Sequence, residues 1–139
     1  MEPTTKSPKL LHGSCLCRAV AYEVEDSFLY SQNCHCSDCR RATGSAFKPF
    51  AGIERSKLRI TAGESSVLQY GSGPAFDVHC GQCGSLLFSV VRNAEFSHVA
   101  MGTLIDAPSI SPSAHIFVGD KAPWFEITDN LPQYEGHIK

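Results

Sequence analysis

The segment CHCSDCRR (Cys34–Arg41) sets three cysteines within six residues and follows them directly with two arginines. Two further pairs flank it: Cys15 and Cys17 in CLC, and Cys80 and Cys83 in CGQCG. A metal ion needs its ligand sulfurs about 2.3 Å from one point, and cysteines one or two residues apart can curl around such a point in a tight turn. Gly81 and Gly84 are expected to supply that turn with backbone freedom at positive φ. The chain has seven cysteines in all. A disulfide framework would leave one thiol over, so the spacing points to metal ligands.

A closed tetrahedral site wants four ligands, and Cys15, Cys17, Cys80 and Cys83 provide them. That pairing closes a long loop and makes a structural metal part of the fold. Cys34, Cys36 and Cys39 are then left together, and three protein ligands with one exchangeable position are the arrangement of a catalytic zinc. Two other partitions stay open on spacing alone. Cys15 and Cys17 could join Cys34 and Cys36, leaving Cys39 with Cys80 and Cys83. Both sites could also be purely structural, with His35, His79 or His98 completing the second. Thiolate-rich sites suit zinc best, with iron a minor competitor, and two ions per chain are expected.

Three thiolates leave a zinc site with a net negative charge, so the cations nearby matter. Arg40, Arg41 and Lys48 could draw an anionic substrate to the open site, or merely offset the thiolates and face solvent. Trp124, the single tryptophan, could wall a substrate pocket or pack as part of a lid. Lys121 could bind a carboxylate or stay on the surface. Thr43 and Ser45 could donate to a substrate or end a helical turn. His35 could act as a base near the metal or point to solvent. Phe47, Phe50 and Phe88 are read as core.

At 139 residues the chain fits one domain over residues 11–139, preceded by a polar, flexible tail over residues 1–10. A formal charge of -2 argues against a nucleic-acid or membrane-surface footprint. No run of about 18 apolar residues predicts a membrane span, and no apolar stretch near the start predicts an export signal, so a cytoplasmic protein is expected. Strand signals are short and frequent. Residues 18–25 alternate, with Val20, Tyr22 and Val24 on one face. Residues 46–53 follow, with Pro49 arguing for an edge strand or a bulge. Further strands are predicted over 58–61, 67–70, 76–79, 86–92, 96–101 and 114–118. One short helix is predicted over 38–43, capped by Ser37 and ended by Gly44. The pattern is that of a mainly β protein of small antiparallel sheets with one or two helical turns.

Three stretches, GSCLCRAVAYEV (13–24), CHCSDCRRATGSAF (34–47) and CGQCGSLLF (80–88), together resemble the glutathione-dependent formaldehyde-activating enzyme family, which shares its domain with centromere protein V. The segment HIFVGDKAPWFEITDNLPQYEG (115–136) is similar to the family's closing segment. The resemblance implies an Mss4-like fold with Cys15, Cys17, Cys80 and Cys83 on a structural zinc and Cys34, Cys36 and Cys39 on a catalytic one. It also implies small-molecule partners: glutathione or a similar thiol, and formaldehyde, joined as S-hydroxymethylglutathione in formal carbon–sulfur lyase chemistry. A thiol carrier with the same site is the neighbouring reading. A non-catalytic, zinc-stabilised interaction module is the alternative. Methionine sulfoxide reduction would need a reactive cysteine outside the metal sites, and none is left over.

Overall fold

The computed structural model describes residues 9–138. Residues 1–8 of the expected tail lie outside the described residues, and Leu10 already opens the first strand. The described residues form ten strands: β1 (Leu10–Ser14), β2 (Ala21–Glu25), β3 (Tyr30–Cys34), β4 (Lys48–Glu54), β5 (Leu58–Ala62), β6 (Val67–Ser72), β7 (Ala75–Cys80), β8 (Leu86–Val91), β9 (Phe96–Ala100) and β10 (His115–Ile116). A single α-helix, α1 (Ser37–Thr43), follows β3. None of the described helices is long and apolar enough to cross a membrane. The fold is mostly β, as the sequence predicts.

The strands make a three-stranded sheet in the order β1-β2-β5 and a seven-stranded sheet in the order β10-β3-β4-β9-β8-β7-β6. The core lies between them. Leu11, Tyr22 and Val24 from the small sheet, with Val20 just ahead of β2, meet Ile53, Phe88, Val90 and Val99 from the large one. Alternation along β2 explains this face, since Tyr22 and Val24 are fully buried while their neighbours are half-buried. Burying such side chains stabilises the fold by about 1.5–3 kcal/mol each, which is what holds the two sheets together.

Three expectations change in the structure. β4 is an interior strand, so Pro49 marks neither an edge nor an established bulge. It pairs with Asn33, whose N–H is turned to Ala114 on the far side. Pro49 therefore points its ring nitrogen away from β3, toward β9, whose ladder with β4 starts only at Phe50. β10 runs parallel to β3, so the large sheet is not wholly antiparallel. The N-cap of α1 is Cys36, whose sulfur accepts from the Cys39 N–H, and Ser37 is already helical. Gly44 does end the helix in the left-handed conformation, at φ 63°.

Two tyrosines lie across glycines on neighbouring strands. Tyr22 pairs with Gly13, where a Cβ would fall 2.1 Å from the Tyr22 Cζ. The ring passes over that gap and its hydroxyl meets Thr103 Oγ1 at 2.7 Å. Tyr30 uses Gly52 in the same way on β4. Gly13→Ala should therefore cost about 1–3 kcal/mol through overpacking. Gly102→Ala, where a Cβ would meet nothing within 4 Å, should stay within about 0.5 kcal/mol of the parent. Urea unfolding of the metal-loaded variants measures both, and equal midpoints would refute the rigid seat for Tyr22.

Candidate metal centre

Cys15 and Cys17 lie in the turn after β1, Cys80 ends β7, and Cys83 sits in the turn that leads to β8. Their four sulfurs lie within 4.8 Å of one another. Two of the separations, Cys15 to Cys17 and Cys17 to Cys80, are both 3.7 Å. A tetrahedron with arms of about 2.3 Å has edges of about 3.8 Å, so the sulfurs fit a zinc-sized ion. The partition that split these pairs between ions is thereby overturned.

Backbone N–H groups aim at the sulfurs. Val20 N donates to Cys15 Sγ at 3.3 Å, and Gln82 N and Cys83 N donate to Cys80 Sγ at 3.3 and 3.4 Å. Gly84 takes the left-handed conformation at φ 83° while its N–H returns to the Cys80 carbonyl at 2.8 Å. Gly81 is not in that region. Its role is close approach, because a Cβ there would lie 2.9 Å from the Ser66 carbonyl oxygen. Ser85 joins the halves, accepting from Leu16 N at 3.0 Å and lying 3.2 Å from Cys83 Sγ.

Electrostatics divide these thiols unequally when no cation is counted. Hydrogen bonds from the Ser85 side chain and backbone pull Cys83 down to about 5. Cys17 moves the other way, to about 11: the Ala19 backbone hydrogen bond lowers it, and burial and the neighbouring thiols outweigh that bond. Four crowded thiols cannot all ionise unless positive charge sits among them.

The second group is Cys34 at the end of β3, Cys36 at the helix cap and Cys39 within α1. Their sulfurs also lie within 4.8 Å of one another, and among the described residues no histidine or carboxylate joins them. That removes the histidine-completed site. Cys39 is raised far above its ordinary range, first by the neighbouring Cys34 sulfur and then by burial, while Lys48 pulls it back. Burial also raises Cys36. The donor set again asks for a soft cation.

Cys34 and Cys39 open on a cavity of about 670 Å³. Its lining carries Lys48 and Arg92 and, among the described residues, no carboxylate. Phe50, Ile116 and Phe117 make apolar walls, and His137 and Ile138 close one side. Lys48 is buried, with its ammonium donating to Ser89 Oγ at 3.1 Å, and Ser89 donates to Asp77 Oδ1 at 2.6 Å. Of the cations singled out in the sequence, Lys48 lines this cavity. Arg40 donates instead to the Asp120 carbonyl at 2.9 Å, and Arg41 is exposed. Trp124 is 69% exposed and lies outside the cavity lining. Lys121 donates to the Ala122 and Phe125 carbonyls. Thr43 and Ser45 bond each other and backbone carbonyls at the end of α1.

His35 does not face solvent: it is fully buried. Its Nε2 lies 2.8 Å from His115 Nδ1, and His115 Nε2 lies 3.0 Å from Asp129 Oδ2. One tautomer arrangement satisfies the whole chain: His115 donates from Nε2 to Asp129 and accepts at Nδ1 from the His35 Nε2–H. Burial and the neighbouring His115 lower His35 to about 4, so the ring is neutral. This chain clamps the cysteine loop to residues 115–129. Sequence spacing had no signal for it, because the three residues lie far apart along the chain. Arg92, His98 and Tyr30 were missed as cavity residues for the same reason.

The fold and the two thiol clusters define a small β protein built around one closed and one open cysteine site, each able to hold a metal ion. A sequence profile described as glutathione-dependent formaldehyde-activating enzyme matches residues 10–120, and the chain belongs to that family. A crystal structure of a Rhodobacter sphaeroides protein, a structural-genomics target, is 31% identical, with a TM-score of 0.59. That match covers 70% of this chain and 91% of the other. No curated protein matches.

Cys80→Ala and Cys36→Ala should therefore differ. The first should remove the metal-binding capacity of one site and lower the unfolding midpoint strongly, because metal affinity is folding free energy. The second should remove that of the other site with a smaller loss of stability. Metal content and urea unfolding on the same samples check this, and equal collapse would make the second site structural as well.

Proposed function

We propose that the chain is a zinc-dependent enzyme of the carbon–sulfur lyase type, or a carrier of the same thiol. It binds glutathione or a similar thiol at the Cys34–Cys36–Cys39 end of the cavity and forms an S-hydroxymethyl adduct with formaldehyde. The observation that carries this reading is the open cluster: of its three thiols, Cys34 and Cys39 give on to a cavity with Lys48 and Arg92 and no described carboxylate. A zinc ion held there supplies positive charge that keeps a bound thiol deprotonated near neutral pH and can polarise a carbonyl.

The chain's own residues supply the rest. Lys48, fixed by Ser89 and Asp77, and Arg92 favour a ligand with carboxylates. Phe50, Ile116 and Phe117 cover the ligand's apolar stem and exclude water. With the thiol and aldehyde held side by side, addition becomes effectively intramolecular. Sulfur bonds to the carbonyl carbon and the oxygen takes a proton. A reducing compartment such as the cytoplasm keeps all seven cysteines free to act as ligands.

Glutathione titrated into cobalt-substituted protein should shift the visible bands of one of the two metal sites, saturating in the millimolar range or below. S-Methylglutathione keeps the carboxylates but has no free thiol, and should leave the bands unmoved. Lys48→Gln should weaken glutathione binding by about tenfold, the loss of one charge-assisted contact. No spectral change at millimolar thiol would overturn the reading.

A further inference from the structure

Five strands of the large sheet place one residue each in a single cross-strand row: Tyr30 on β3, Gly52 on β4, His98 on β9, Ser89 on β8 and Asp77 on β7. Directly paired residues share a face, so this row lies on the sheet face opposite the core. At Gly52 a Cβ would fall 2.3 Å from Tyr30 Cζ and 2.7 Å from its hydroxyl oxygen. The missing side chain is therefore what lets the Tyr30 ring lie across β4. Beyond β4, Tyr30 Oη meets His98 Nε2 at 2.7 Å. The His98 ring is itself held flat, stacked on Phe50 with centroids 4.2 Å apart and planes 21° apart.

A third group completes the arrangement. The Arg92 guanidinium lies 5.1 Å over the Tyr30 ring and 5.1 Å over Phe96. Arg92 opens a run of three left-handed residues, with φ of 54° at Arg92, 58° at Asn93 and 63° at Ala94, none of them glycine. Such backbone costs on the order of 1–3 kcal/mol per residue and persists only where its surroundings hold it. Tyr30, His98 and Arg92 line the cavity on which Cys34 and Cys39 open.

We propose that Tyr30 is a catalytic residue, donating its phenolic proton to the aldehyde oxygen as sulfur adds to the carbonyl carbon, and that His98 positions it. The proposal rests on the thiol–aldehyde reading above. The sulfur lone pair forms the C–S bond, the C=O π pair moves on to oxygen, and that oxygen takes the Tyr30 Oη proton. The phenolate accepts a hydrogen bond from the His98 Nε2–H and faces the Arg92 cation through its ring. The proton released by the thiol on ionising returns to Tyr30 through solvent, so the cycle balances. Cleavage of the adduct runs through the same groups in reverse. Two features keep the pair in the required state. Burial raises Tyr30, so it stays a phenol, and burial with the Lys48 and Arg92 charges lowers His98 to about 3, so it stays a neutral imidazole able to carry its proton on Nε2.

The test compares wild type, Tyr30→Phe, His98→Gln and His98→Ala in the zinc-loaded full chain. Exchange between free glutathione and its formaldehyde adduct is followed by NMR magnetisation transfer, with the uncatalysed rate subtracted, and glutathione affinity is measured by calorimetry. Tyr30→Phe keeps the ring and its packing, and should lower the turnover rate by about 10²-fold or more with glutathione affinity within about threefold. His98→Gln keeps an N–H donor and should retain more turnover than His98→Ala, which a purely structural role for the pair would not produce. A wild-type protein that accelerates exchange together with a Tyr30→Phe variant of equal turnover overturns this proposal and leaves the thiol reading standing. A wild-type protein that neither binds glutathione nor accelerates exchange overturns the thiol reading, and this one falls with it.

Discussion

Seven thiols in two tight groups set the terms for the rest of this molecule. Sulfurs 3.7 Å apart and partly buried repel one another as soon as two of them ionise. The protein answers with local devices: N–H groups aimed at Cys15, Cys36 and Cys80, a serine beside Cys83, and a buried lysine near Cys39. Of these only the lysine carries a full positive charge, one against three thiols, and a divalent cation in each group would supply the rest. At the first group the cation would hold the β1–β2 turn of the small sheet to the β7–β8 turn of the large one. The two sheets would then be joined at one end by sulfur and along their faces by apolar packing.

The large sheet has two different faces. One packs against the small sheet and is apolar. The other carries the cross-strand row from Tyr30 to Asp77, together with Lys48 and Phe50. The segment after β10 folds back over this second face. Its backbone is stitched by bonds from His115 N to the Pro132 carbonyl, Phe117 N to Gly136 and Val118 N to Tyr134. A hydrogen-bonded chain from the buried His35 and His115 out to the exposed Asp129 fastens the same segment to the cysteine loop. The cavity is thus walled by segments far apart in sequence: the β3–α1 region on one side and residues 116–138 on the other.

How much of this the sequence disclosed follows from the range of each interaction. The cysteine grouping was legible because ligand spacing is a local property, and the buried face of β2 was legible because alternation is too. Gly44 was legible as a helix stop for the same reason. β1 and β3 were not read as strands. The first carries Gly13 and the second is polar (YSQNC), and both positions make sense only once Tyr22 and Tyr30 are seen crossing to other strands. Pro49 was misread because its harmlessness depends on where β9 begins, which is a register and not a composition. Arg40 and Arg41 stood beside the ligands in sequence, yet the cations that line the cavity are Lys48 and Arg92, brought there by strand pairing. Local pattern identified the metal ligands, and sheet topology chose their neighbours.

The closing wall also has a practical side. His137 and Ile138 belong to the rim of the ligand cavity, so anything inserted directly after Ile138 would begin at its mouth. A polyhistidine tail attached there would bring competing imidazoles beside an open thiolate cluster. A fusion joined ahead of β1 departs from the three-stranded sheet, which contributes no lining residue to that cavity. Affinity handles and fluorescent reporters for ligand work on this protein therefore belong ahead of β1, away from His137 and Ile138.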